Sequence, residues 1–137
     1  MKKKVLFLVM FLIFMLLTPS VLLALPPIPR DARITEPDPS LPKELTTFLG
    51  KWEATGRRAG SMAIIVEKLN EEKANLYIYE NSRWNRREAN VSKEREKYKI
   101  WFQGKMGINE MSLKEDGSLT LSWGGNYPGF MPFKRIP

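Results

Sequence analysis

The sequence predicts a mainly β domain: an antiparallel meander of seven or eight short strands following Gly50. The first observation is alternation. Across residues 96–103, Tyr98, Ile100 and Phe102 point one way while Lys97, Lys99, Trp101 and Gln103 point the other, the pattern of a strand with one wet face. Burying two lysine ammoniums is the dearer option, so the apolar triplet is expected inside and Trp101 outside. The second observation is punctuation. Apolar runs over 61–69 and 74–80 are joined by Asn70-Glu71-Glu72-Lys73, and runs over 108–113 and 118–123 by Lys114-Glu115-Asp116-Gly117, where Asp116-Gly117 is the strongest turn signal in the chain. The third is an exclusion: no window of about 11 residues beyond Gly50 sustains an apolar helical period without a glycine or a β-rich run. A meander of this size hides its apolar face by closing into a barrel or folding into a sandwich.

Ahead of the domain stands a leader. Lys2, Lys3 and Lys4 precede an apolar run from Val5 to Leu17, Thr18-Pro19-Ser20 interrupts it, and Val21-Leu22-Leu23-Ala24 ends on a small residue. That is the layout of a secretory signal peptide over 1–24, and it places the mature chain outside the cytoplasmic membrane, secreted or in the periplasm or cell envelope. The competing reading is a retained anchor, because residues 5–25 as a helix would reach across about 30 Å of hydrocarbon. Pro19 lies inside that stretch, and Leu22 and Ala24 fit the minus-three and minus-one positions of a cleavage site, so cleavage is favoured. The leader also holds three of the 22 Lys+Arg residues; without it the formal charge falls from +7 to +4.

Residues 25–40 read as a Pro-rich tether, with Pro26, Pro27, Pro29, Pro37 and Pro39 blocking regular hydrogen bonding. The domain proper is expected over 41–137. It opens with a helical turn after Pro42, in which Leu45, Phe48 and Leu49 share a face, too short to stand alone and suited to plug whatever follows. Strands are expected over 51–57, 61–69 and 74–80, then a polar stretch containing Trp84, then strands over 96–103, 108–113 and 118–123. Gly124-Gly125 and Asn126-Tyr127-Pro128-Gly129 form a loop. Residues 130–136 make the last strand, with Pro132 confining it to an edge, a bulge or a strand start.

The stretch Leu45-Thr46-Thr47-Phe48-Leu49-Gly50-Lys51-Trp52, a short helical lead followed by Gly-x-Trp entering the first strand, resembles the N-terminal signature of the lipocalin/fatty-acid-binding (calycin) superfamily. The resemblance implies an up-and-down barrel with Trp52 at its closed end and an Arg of the last strand, here Arg135, packed across the indole. Gly50, Trp52 and Arg135 are then structural residues. The chain departs from typical lipocalins in being shorter and in lacking their cysteines, later loop motif and terminal helix.

Function is bounded by what is missing. With no cysteine and no histidine there is no disulfide, thiolate nucleophile, sulfur zinc site or ordinary neutral-pH acid/base, and no metal or other cofactor is expected. Ser61, Ser112, Ser118 and Ser122 lack a recognisable nucleophile context, Glu110, Glu115 and Asp116 crowd one hairpin, and Gly124-Gly125 is not followed by a phosphate-binding Lys-Ser/Thr; the expectation is a protein that is not an enzyme. Arg83-Trp84-Asn85-Arg86-Arg87 has the ingredients of a nucleic-acid contact, but Glu80, Glu88, Glu94 and Glu96 interrupt it, so no nucleic acid is expected as partner. What remains is a structural or protein-interaction module of the envelope, or a lipocalin-like binder of a small apolar or amphipathic ligand. In the second case Trp123, Tyr127 and Phe130 are expected to form the inner lip of the pocket, with Arg86 and Arg87 as polar contributors. Membrane contact is expected only through a retained segment 5–25.

Overall fold

The computed structural model describes residues 26–137, so the leader expected over 1–24 lies outside the described residues. A single helical turn, α1 (Lys43–Thr46), precedes β1 (Gly50–Ala54), β2 (Ala63–Leu69), β3 (Lys73–Glu80), β4 (Arg83–Glu94), β5 (Lys97–Gly104), β6 (Gly107–Leu113), β7 (Leu119–Trp123) and β8 (Gly129–Ile136). Each strand pairs antiparallel with the next, and β8 returns to pair with β1. The meander closes into a barrel, which removes every exposed sheet edge.

Alternation selects the interior. Tyr98, Ile100 and Phe102 do face inward, with Ile100 and Phe102 buried, and Trp101 lies on the outer wall opposite Asn90 and Glu110. Across the barrel the same phase brings in Trp52, Ile64, Leu76, Met111, Leu121 and Phe133, none more than 2% exposed. Eight strands enclose a space about as wide as the side chains that fill it, so this interior is a packed core. At one end Leu45 and Phe48, both buried, hang from α1 and its exit as the expected plug. This is the closed end; the turns joining β1–β2, β3–β4, β5–β6 and β7–β8 form the open end.

β4 is the strand that alternation and punctuation do not reveal. It spans 12 residues where only a polar stretch was expected. Both turns that bound it lack glycine: Asn81 and Ser82 join it to β3, Arg95 and Glu96 to β5, and all four have positive φ, between 47° and 66°. This is the backbone of a two-residue hairpin turn, made here by residues that adopt it at a cost of about 1 kcal/mol each. Its hydrophobic pattern is also weak. Arg87 stands opposite inward Leu76 and Asn85 opposite inward Ile78, so the inward row of β4 is Asn85, Arg87, Ala89 and Val91, while Trp84 points out.

Trp84 points out because something covers it. Residues 26–35, expected as a tether, carry no helix or strand but lie along the outer wall of β2, β3 and β4 as a strap. Trp84 Nε1 donates to the Pro27 carbonyl at 2.9 Å, Tyr77 Oη donates to Asp31 at 2.6 Å, Arg33 N donates to Glu67 Oε1 at 2.8 Å and Thr35 N to the Glu67 carbonyl at 2.7 Å. Beneath it Ala63, Ile65, Glu67 and Tyr77, all on the outward phase, are 2–6% exposed. Glu67 sits where the β2–β3 register shifts between Val66 and Lys68, a bulge that frees its backbone carbonyl for the strap.

Pro132 lies inside β8 rather than at a free edge. Its carbonyl accepts Thr55 N at 3.0 Å, one residue past the end of β1. In a strand the N and O of one residue face the same side, so the missing N–H also faces the place where β1 has stopped, and no ladder bond is lost.

Candidate functional site

The closed end is held by one side chain. Arg135, paired across the ladder with Trp52, lies over its indole with the guanidinium carbon 4.3 Å from the ring centroid. Its Nη1 donates to the Leu49 carbonyl at 2.6 Å and its Nη2 to the Thr47 carbonyl, while Trp52 Nε1 donates to the Phe48 carbonyl at 2.9 Å. Three successive carbonyls at the end of the plug are therefore satisfied by the two residues that the Gly-x-Trp resemblance singles out. Burial lowers the Arg135 pKa from its ordinary value. Gly50 has φ +131°, and a Cβ there would run into Arg135 Nη1. Glycine is thus required twice, for its backbone and for the room it leaves.

The open end carries a cleft of about 380 Å³ whose lining includes Met62, Arg87, Phe102, Asn109, Leu121 and Trp123. A second, of about 550 Å³, shares Met62, Glu80, Asn81, Met106 and Trp123 with it and extends to Arg58 and Met131. Phe102, Leu121 and Met131, each 2–7% exposed, form the floor, so the clefts are a shallow cup on top of the packed core. Arg87 reaches into the cup with its guanidinium 5.6 Å from the Phe102 ring centroid and its Nη2 3.1 Å from Glu80 Oε1; its Nε is buried without a partner.

Of the residues expected at an inner lip, only Trp123 stands at the mouth. Its ring covers Gly129, where a Cβ would sit 2.5 Å from Cζ2, and its Nε1 donates to the Tyr127 carbonyl at 2.9 Å. The Tyr127 side chain itself is 77% exposed. Phe130, opposite Ser122, is 70% exposed and points outward, because Met131 and Phe133 take the inward phase of β8. The expected trio is corrected accordingly. Arg86 also points outward, stacked 5.6 Å from the Tyr77 ring centroid and 3.4 Å from Glu67 Oε2, where it belongs to the wall under the strap. Only Arg87 of the arginine pair enters the cup.

Residues that sequence reasoning left aside complete the picture. Met106 in the β5–β6 turn and Ile108 at the start of β6 are 59% and 52% exposed. They neighbour the β7–β8 loop: a Cβ on Gly107 would lie 3.1 Å from the Gly124 carbonyl oxygen, and one on Gly125 would strike the Met106 carbonyl. Met106, Ile108, Tyr127 and Phe130 thus crown two abutting hairpins. A search for exposed apolar residues beside turn glycines would have found them; the strand phase alone does not.

Among the described residues no helix is long and apolar enough to cross a membrane, and no group of three His, Cys, Asp or Glu side chains is placed to hold a metal ion. Comparison with protein-family models, with curated proteins and with solved structures gave no match. The fold is an eight-stranded antiparallel barrel with a calycin-like arrangement at its closed end.

Proposed function

We propose that this domain is a non-enzymatic interaction module of the cell envelope that works through its outer surface rather than by enclosing a molecule. The observation that carries the reading is the pairing of a filled interior with exposed apolar side chains gathered at the open end. Soluble domains scatter such residues singly, and a cluster of them marks a contact surface. Photo-crosslinking of the exported protein in its native envelope tests it. A crosslinker at Asn126, in the β7–β8 loop, is expected to capture a discrete envelope component, while one at Glu115, in the closed-end β6–β7 turn, is expected to capture none; equal or absent capture at both positions would defeat the reading.

A second reading, lipocalin-like binding of a small amphipathic molecule in the cup, is supported by the inward Arg87 with its unpartnered Nε above an apolar floor. Native mass spectrometry separates the two. The first reading expects a bare chain, and the second a retained adduct that Arg87→Ala or Trp123→Ala removes.

A further inference from the structure

The four loops of the open end contain Arg57, Arg58 and Lys105 and no carboxylate. The turns of the opposite end, 70–72, 95–96 and 114–118, contain Glu71, Glu72, Glu96, Glu115 and Asp116 against Arg95 and Lys114. Two carboxylates stand at the edge of the open end and each has a cation beside it: Glu80 is held by Arg87 at 3.1 Å, and Glu53, opposite the first residue of β2, lies 3.8 Å from Lys134. The open-end loops, beside which Met106, Ile108, Tyr127 and Phe130 are exposed, thus hold cations and no carboxylate, while the turns of the opposite end hold mixed charge with an excess of acid.

We propose that the open end is a docking surface for an anionic phospholipid membrane. This rests on the surface-contact reading above and names its partner. Tyr127 and Phe130 supply the apolar and amphipathic groups that settle at the headgroup boundary, Met106 and Ile108 extend the contact, and Arg57, Arg58 and Lys105, on two of the four loops, add the charge that anionic headgroups attract. A protein partner with an apolar groove would meet the same four side chains without needing loops whose charged residues are all cations. A second copy of the chain would bring these cations against one another. Among the described residues no helix is long and apolar enough to insert, so the proposed contact is made by the loops of the open end.

The absence of cysteine makes the test clean, since one introduced thiol can carry one environment-sensitive fluorophore. In the full chain, a label on Asn126→Cys is expected to brighten and shift to the blue with phosphatidylglycerol-rich vesicles and not with phosphatidylcholine vesicles, while a label on Glu115→Cys stays unchanged with both. Tyr127→Ser/Phe130→Ser is expected to weaken the response at least about tenfold, and Arg57→Gln, Arg58→Gln and Lys105→Gln about fivefold each at low salt. The same labels on the chain from Leu25 onward, which is what cleavage after Ala24 leaves, keep the leader's own affinity for lipid out of these comparisons. An unchanged Asn126 label with all vesicles, equal responses at Asn126 and Glu115, equal responses to both lipids, or an undiminished response in the Tyr127/Phe130 variant would each overturn the proposal. Crosslinking of Asn126 to a protein in the envelope, with no vesicle response, would overturn the membrane assignment and leave the surface-contact reading standing.

Discussion

At the closed end of the barrel Trp52, Arg135 and the plug are engaged with one another, whereas at the open end side chains of the same kinds are left facing water. Trp52 is buried, capped by Arg135 and bonded through its indole nitrogen; Trp123, in the corresponding position at the other rim, is partly exposed and bonded only to its own loop. Arg135 satisfies two plug carbonyls, while Arg87 keeps a buried nitrogen without a partner. One end therefore holds the fold together, and the reading proposed above gives contact to the other.

The sharpest way to break that comparison is to truncate the two tryptophans. Trp52→Ala removes a fully buried indole together with the seat of Arg135, and is expected to cost about 3–5 kcal/mol. Trp123→Ala, at a solvent-lined mouth, is expected to cost less than about 2 kcal/mol. Urea unfolding of the two variants decides it, and equal losses would mean that the open end contributes to the fold as much as the closed end does.

Gly50→Ala sharpens the account of the closed end. The added methyl must displace the Arg135 guanidinium and also accept a φ of +131°, and the expected loss is about 2–3 kcal/mol. The two causes separate in a double-mutant cycle. In an Arg135→Ala background the steric part disappears and only the backbone part remains, so the two substitutions should be less than additive by about 1 kcal/mol. Strict additivity would show that Gly50 is required for its backbone alone.

The strap responds to pH in a way whose sign follows from its hydrogen bonds. The Tyr77 hydroxyl donating to Asp31 lowers the carboxyl pKa from its ordinary value, and the same bond raises the phenol pKa. A lowered carboxyl pKa adds stability that is present above the ordinary carboxylate range and is lost as pH falls through the folded value. A raised phenol pKa adds stability that is present below the ordinary tyrosine range and is lost as pH rises through the folded value. The strap should therefore be held across the whole neutral range and loosen at both extremes. Hydrogen exchange at Arg33 and Thr35, whose amides bond to Glu67, reads this directly. Asp31→Asn should abolish the acid limb, and an acid limb that persists would place the switch elsewhere.

Much of this was legible in the sequence, and the exceptions share a cause. The Tyr98–Ile100–Phe102 phase, the plug and the Gly50–Trp52–Arg135 set could be read because each is local or carried by a motif, and alternation needs only one wet face. β4 and the strap were not legible for a joint reason: the strap covers Trp84 on the outer face while Asn85 and Arg87 point inward, so an apolar residue outside and polar ones inside scramble the alternation that identifies a strand. Its turns, Asn81-Ser82 and Arg95-Glu96, carry no glycine to announce them. Phe130 was misplaced because an aromatic beside a loop fits a pocket lip as well as a crown, and only the phase set by Met131 and Phe133 decides between them.

The smallest expected effect is the most telling for the contrast between the ends. Tyr127 and Phe130 are large apolar residues, and their exposure of 77% and 70% means that folding removes little of their surface from water. The hydrophobic contribution of a side chain scales with the area it buries, about 25 cal/mol per Å², so serine at either position should change stability by no more than about 0.5 kcal/mol. The Tyr127 carbonyl that receives the Trp123 indole is backbone and survives the substitution. Thermal unfolding of Tyr127→Ser, Phe130→Ser and the double variant should therefore overlay the parent curve within a few degrees, while an apolar dye that reports exposed hydrophobic surface should bind the double variant less. A loss of several kcal/mol would mean that the two rings are packed in the folded protein, and the open end would then be a second structural cap rather than a surface kept for contact.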